Sequence, residues 1–195
     1  MTRVQTLALA LWIALPVIAA GALHIAAIRT NLLTTLAKIP IDGSLTVRGR
    51  RVFGDNKTLR GVILMMAFTI LAAGFQAWLA AHFDWARALT PPELIAAGPL
   101  QWGALLAMGY VVGELPNSFL KRQINIAPGA PGAGTMSPVF WIVDQIDSLV
   151  GALIVMSFIW FPPWPLIAAL LIVTLVVHPL AALGMVMLGL KARVG

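Results

Sequence analysis

Residues 139–161 read VFWIVDQIDSLVGALIVMSFIWF, a run long and apolar enough to cross a bilayer that still carries Asp144 and Asp147 in its first two turns. Three positions apart on a helix, the two carboxylates point the same way. Charge within a spanning helix is costly, and such residues usually face a bundle interior or a wet cavity. Lys121-Arg122 and a Pro/Gly-rich stretch stand just upstream. Anionic ligands and a metal ion are natural occupants of such a site.

The rest of the chain has the same character. Of 195 residues, 60% are hydrophobic and 10% charged, against about 25% charged in soluble domains. Mean hydropathy is +0.93. With no cysteine there is no disulfide framework and no thiolate metal site. Besides 139–161, apolar runs at about 7–28, 61–82, 94–119 and 164–190 approach the roughly 20 residues a span needs. The expected fold is an all-α polytopic membrane protein with about five transmembrane helices, forming one domain over 1–195. Pro179 should kink the last span, and Pro116 should make the end of the third irregular. The first run exceeds the apolar core of a signal peptide and leads into a basic loop, so it reads as a span.

Basic residues give the orientation. All of the 13 Lys and Arg except Arg3 and Arg87 fall in the first loop (about 29–60), the third loop (about 120–140) or the tail. These regions share one side of a five-span protein. The positive-inside rule makes that side cytoplasmic and puts the N-terminus outside, as in an integral inner-membrane protein. Trp85, Trp102, Trp160 and Trp164 are then expected near the outer boundary and Trp141 near the inner one, as an aromatic belt. The net charge of +6 belongs to a face that attracts anionic membrane lipids. No nucleic-acid partner is expected, since the basic residues are not interleaved with stacking aromatics.

Two polar constellations lie on that side. In the first loop, Pro40-Ile41-Asp42-Gly43 forms a turn ending in a carboxylate. Phe53-Gly54-Asp55-Asn56-Lys57-Thr58-Leu59-Arg60-Gly61 then sets cations, an amide and a hydroxyl beside a helix start, where backbone amides suit a phosphate. A solvated positive-inside loop is the alternative. In the second constellation, Glu114, Asn117, Ser118 and Lys121 fall at helical spacing before the Pro/Gly-rich loop 128–138. That loop could be a ligand-hugging segment or a plain tether. Asp144, Asp147 and Ser148 share a face of the next helix, and Gly151 permits close helix packing. A metal site at the aspartates competes with ion pairing to Lys121 or Arg122, and with a cation path. His24, His82 and His178 lack ligand spacing and read as interior or boundary residues.

These stretches, in this order, resemble the CDP-archaeol synthase family, one of the integral-membrane CTP-dependent lipid cytidylyltransferases related to phosphatidate cytidylyltransferase. The matching segments are Thr30-Asn31, Pro40-Ile41-Asp42, FGDNKTLRG at 53–61, SFLKR at 118–122 and DQIDSLVGA at 144–152. Departures exist. Phosphatidate enzymes carry Lys-Asp after Lys-Arg and a Pro-Gly-His-Gly-Gly loop, and this chain has neither. Glu114 stands where the archaeol family often has aspartate.

The resemblance implies transfer of the cytidylyl group of CTP to a membrane lipid phosphate, with release of pyrophosphate and dependence on Mg²⁺. Asp144 and Asp147 would hold the metal. Lys121 and Arg122 would contact phosphates, completing the catalytic set. Asn56, Lys57, Thr58 and Arg60 would bind the nucleotide or the other phosphate. Asn31, Asp42, Asp55, Glu114, Asn117 and Ser118 form a second rank of substrate-binding candidates. Small membrane enzymes often dimerise, so a homodimer is one expected state. A phosphatidate cytidylyltransferase acting on ester lipids and a small cation transporter or channel are the alternatives.

Overall fold

The computed structural model describes residues 2–128, 130 and 137–190. In chain order the elements are α1 (Arg3–Arg29), α2 (Thr34–Ala37), β1 (Thr46–Val47), β2 (Arg50–Arg51), α3 (Leu59–His82), α4 (Asp84–Ala88), α5 (Pro92–Gln123), α6 (Ser137–Met156) and α7 (Trp164–Met187). Five helices, α1, α3, α5, α6 and α7, are long and apolar enough to span a bilayer. Most of loop 128–138, with Lys191 and Arg193, lies outside the described residues.

Local chemistry explains the helix ends. Thr2 and Gln5 cap α1 reciprocally, and Thr58 accepts from the Gly61 N–H at the start of α3. Pro92 opens α5 at a position where its missing N–H costs nothing. Gly98, at φ 77° and ψ 155°, breaks α5 just before Pro99: the extended ψ is the one a residue before proline favours, and the positive φ is one glycine takes without steric cost. Pro116 does not end the helix, and α5 runs on through Lys121 and Arg122 to Gln123. The fourth span stops sooner than its apolar run, since α6 ends at Met156 and not at Phe161.

Inside the bundle, Trp12, Trp102, Leu106, Met156, Leu166 and Leu170 belong to one buried apolar cluster. Trp102 therefore does not serve as the boundary anchor expected of it; it is only 3% exposed. Trp85 and Trp164 are exposed, as an anchor requires. Pro16 has no N–H for the Trp12 carbonyl one turn earlier in α1. Buried Gln76 of α3 meets that need, its Nε2 donating to Trp12 O at 2.7 Å. One polar residue in α3 thus offsets a proline in α1.

The α5–α6 contact is the closest. A Cβ on Gly109 would fall 2.7 Å from the Ala152 Cα, and one on Gly113 would fall 2.5 Å from the Asp147 carbonyl oxygen. A Cβ on Gly151 would strike Gly109 and Gly113 in return. Only glycine allows the two backbones this approach.

Candidate active site

The glycine contact places the polar face of α5 against the acidic start of α6. Asn117 Nδ2 donates to Asp144 Oδ1 at 2.6 Å and to Asp147 Oδ2 at 2.9 Å. Lys121 Nζ pairs with the Asp144 carboxylate at 2.5 Å and lies 5.7 Å from the centre of the Phe140 ring. Ser148 donates through its backbone N–H to Asp147 Oδ1 at 2.6 Å and through Oγ to Glu114 Oε1 at 3.1 Å. Glu114 also pairs with Lys57, which arrives from the loop before α3.

That loop is organised by Asp42. Its buried carboxylate accepts from the Ser44, Phe53 and Gly54 N–H groups at 3.0, 2.9 and 3.3 Å, and from Arg51 at 2.7 Å. Burial alone would raise its pKa. Arg51 and the three amides outweigh burial and pull the value from the ordinary 3.8 to about 2. Gly54, at φ 95°, sits against Arg122, where a Cβ would come within 3.3 Å of Nε. Backbone bonds from Ile41 N to Lys57 O and from Leu59 N to Ile39 O, both 2.9 Å, close the loop's base.

Asn56, Lys57, Glu114, Asn117, Ser118, Lys121, Arg122, Asp144 and Asp147 line one pocket of about 200 Å³. Five other expected site residues do not line it. Asp42 holds the loop, and exposed Asp55 pairs with Arg51 at 2.5 Å. Thr58 caps α3, Arg60 has a buried Nε without a partner among the described residues, and Asn31 lies exposed beyond α1. Gln145, not proposed from sequence as a site residue, also lines the pocket, and so does His178, which the sequence marks only as an interior or boundary residue. Gln145 lies beside Asp144, at helical spacing from Ser148. His178 lies in an apolar run with no spacing to mark it.

A second, apolar chamber of about 370 Å³ runs between α1, α5, α6 and α7. Val17, Gly21, Leu106, Leu153, Trp160 and Val173 are among its walls, and it shares Gln145 and His178 with the polar pocket.

The donor set suits a hard divalent cation. Mg²⁺ typically takes one or two carboxylates and completes its shell with water and substrate phosphate. Asp144 and Asp147 supply the carboxylates, and Asn117 Oδ1 is a buried oxygen with no hydrogen-bond partner among the described residues. Among those residues, no three His, Cys, Asp or Glu side chains converge into a complete protein cage. A site of this composition would depend on substrate oxygens.

Five helices long and apolar enough to span a bilayer, with a charged pocket adjoining an apolar chamber, mark a membrane protein equipped to handle polar and apolar groups side by side. A family model described as CarS-like, CDP-archaeol synthase, matches residues 4–194. The chain belongs to the CDP-archaeol synthase family and is an enzyme of the membrane-embedded lipid cytidylyltransferase class. It is 34% identical over 140 residues to the CDP-archaeol synthase of Pyrococcus furiosus, covering 71% of this chain and 73% of that one. It is 32% identical over 154 residues to that of Thermofilum pendens, covering 78% of this chain and 64% of the longer relative. A solved intramembrane enzyme of archaeal membrane lipid biosynthesis shares the fold, with a TM-score of 0.62 at 22% identity, over 89% of this chain and 92% of that one.

Proposed function

We propose that this enzyme transfers the cytidylyl group of CTP to a membrane lipid phosphate, giving a CDP-activated lipid and pyrophosphate. The archaeol-type phosphate of its relatives is the first candidate substrate. One observation carries the reading: the Asn117 amide bridges Asp144 and Asp147 in a pocket that also gathers Lys57, Lys121 and Arg122. Acid and base gathered around a space that adjoins an apolar chamber suit a triphosphate and a lipid phosphate meeting there.

A lipid phosphate oxygen forms a new bond to the α-phosphorus of CTP. The bond from that phosphorus to the α–β bridging oxygen breaks, and pyrophosphate leaves with the electron pair. The nucleophile is already anionic, so the protein need not supply a strong base. Its task is to place several negative charges together, which positioning and electrostatics achieve. Lys121 and Arg122 take phosphate oxygens, Arg122 through a planar guanidinium suited to paired contacts. Lys57, held by Glu114 in the free enzyme, and Asn56 meet the nucleotide from the loop side. Asp42 positions that loop. Held by Asp144, Asp147 and Asn117 Oδ1, Mg²⁺ would neutralise the triphosphate and stabilise the departing pyrophosphate.

The basic residues of the first and third loops support a cytoplasmic pocket and an outside N-terminus. CTP then arrives from the cytoplasm while the lipid tail stays in the bilayer. The test is purified protein with labelled CTP, Mg²⁺ and a panel of ether- and ester-linked lipid phosphates, read by product mass. A CDP-lipid with stoichiometric pyrophosphate is expected. Ion flux in proteoliposomes without nucleotide, and no CDP-lipid, would favour the transporter alternative.

A further inference from the structure

We propose that His178 is a substrate-contacting residue which, with Gln145, holds the phosphate of the lipid substrate where the polar pocket meets the apolar chamber. The assignment rests on the functional reading above and extends it to a residue outside the acidic and basic set. Gln145 and His178 line both spaces, so they stand at the boundary between them. His178 is the one titratable side chain that α7 brings to the polar pocket. It makes no hydrogen bond among the described residues. Gln145 is 7% exposed, and its Oε1 is buried without a partner, while its Nε2 donates to Trp141 O at a long 3.3 Å.

Buried polar groups are rarely left unpaired, because each unmade hydrogen bond costs free energy. That argument applies to the buried Gln145 Oε1, a carbonyl acceptor without a partner among the described residues, and half-buried His178 adds a ring nitrogen on the same boundary. A hydrocarbon chain can use neither. A phosphate monoester can use both: its oxygens accept, and with a second pKa of about 6 it still carries a P–OH part of the time near neutral pH. CTP has no apolar part to seat in the chamber and has Lys57, Lys121 and Arg122 for its phosphates. The lipid phosphate alone joins an anionic head to an apolar chain at this point.

The test is steady-state kinetics of the full chain in lipid micelles, varying lipid phosphate and CTP separately. His178→Leu should raise KM for the lipid about tenfold, the scale of one hydrogen bond to a charged group. KM for CTP should stay within about twofold of wild type. His178→Asn, which keeps an N–H donor, should recover most of the loss. An unchanged lipid KM, an equal rise in both KM values, or no rescue by asparagine would each overturn the assignment. If His178→Leu does not fold, Gln145→Leu carries the same test and the same expectation. Should the wild type consume no CTP, the functional reading fails. Lipid-phosphate binding without CTP then decides the contact separately: weaker binding by His178→Leu supports it, and equal binding overturns it.

Discussion

Asn117 gives both hydrogens of one amide nitrogen to two carboxylates, and this places Asp144 and Asp147 side by side despite their repulsion. Lys121 balances one of them. Because Lys121 is nearly buried and Asp144 is about one-third exposed, removing the lysine leaves a partly desolvated charge. Lys121→Ala should lower turnover by on the order of a hundredfold while the protein still inserts and folds, as read by activity beside a thermal melt. Asp42 shows how a residue outside the pocket can serve it. Its pKa is depressed, so it stabilises the fold above its unfolded value, and that contribution fades as pH falls from about 4 to about 2. The full contribution is about 2 kcal/mol. Asp42→Asn should therefore melt lower than wild type at pH 7, and the gap should close near pH 2. At pH 7 it should also raise KM for CTP, because the loop carrying Asn56 and Lys57 loses its anchor.

At the scale of the elements, two devices hold the site. The glycine contact sets the depth of α6 against α5. Gly113→Ala drives a Cβ into the Asp147 carbonyl and Gly151 Cα, both backbone atoms that cannot rotate away. It should cost about 1–3 kcal/mol in a denaturation series and lower turnover further by displacing Asp147. The Gln76–Trp12 bond is the second device. Gln76→Leu leaves the carbonyl freed by Pro16 without a donor and should cost a further 1–3 kcal/mol or so, with little change in KM for either substrate. Sequence reading reached one glycine of the first device, Gly151, and nothing of the second. Polar residues every third or fourth position in an apolar run mark a face, so Glu114, Asn117, Ser118, Lys121, Asp144 and Asp147 could be read as two facing rows. In α1, α3 and α7 apolar residues cover every side, and nothing in the chain says which side meets a neighbour. Gln76 acquires meaning only beside a proline in another helix. Trp102 carried the composition of a boundary anchor and went to the core because its α5 stretch packs closely on α3, where the neighbouring Gly103 lies against Ala73 and Ile70. His178 stood alone until the bundle placed it on the walls of the same two spaces as Gln145.

Across the whole molecule, the bundle sets a charged pocket beside an apolar chamber, the arrangement that the proposed reaction between a soluble nucleotide and a membrane lipid requires. Gly21 of α1 lines the chamber, and a Cβ there would meet nothing within 4 Å. Gly21→Leu should thus fold as well as wild type or better, since leucine is the stronger helix former. It should fill chamber volume and raise KM for long-chain lipid phosphate while sparing KM for CTP. A normal lipid KM in that variant would place the chain elsewhere. The central claim remains that Asp144 and Asp147 gather divalent metal beneath the triphosphate, and Asp147→Asn tests it most directly. Mg²⁺-dependent CDP-lipid formation should fall by at least about a thousandfold in a protein whose melting profile matches wild type. Substantial Mg²⁺-dependent turnover by that folded variant would contradict the claim.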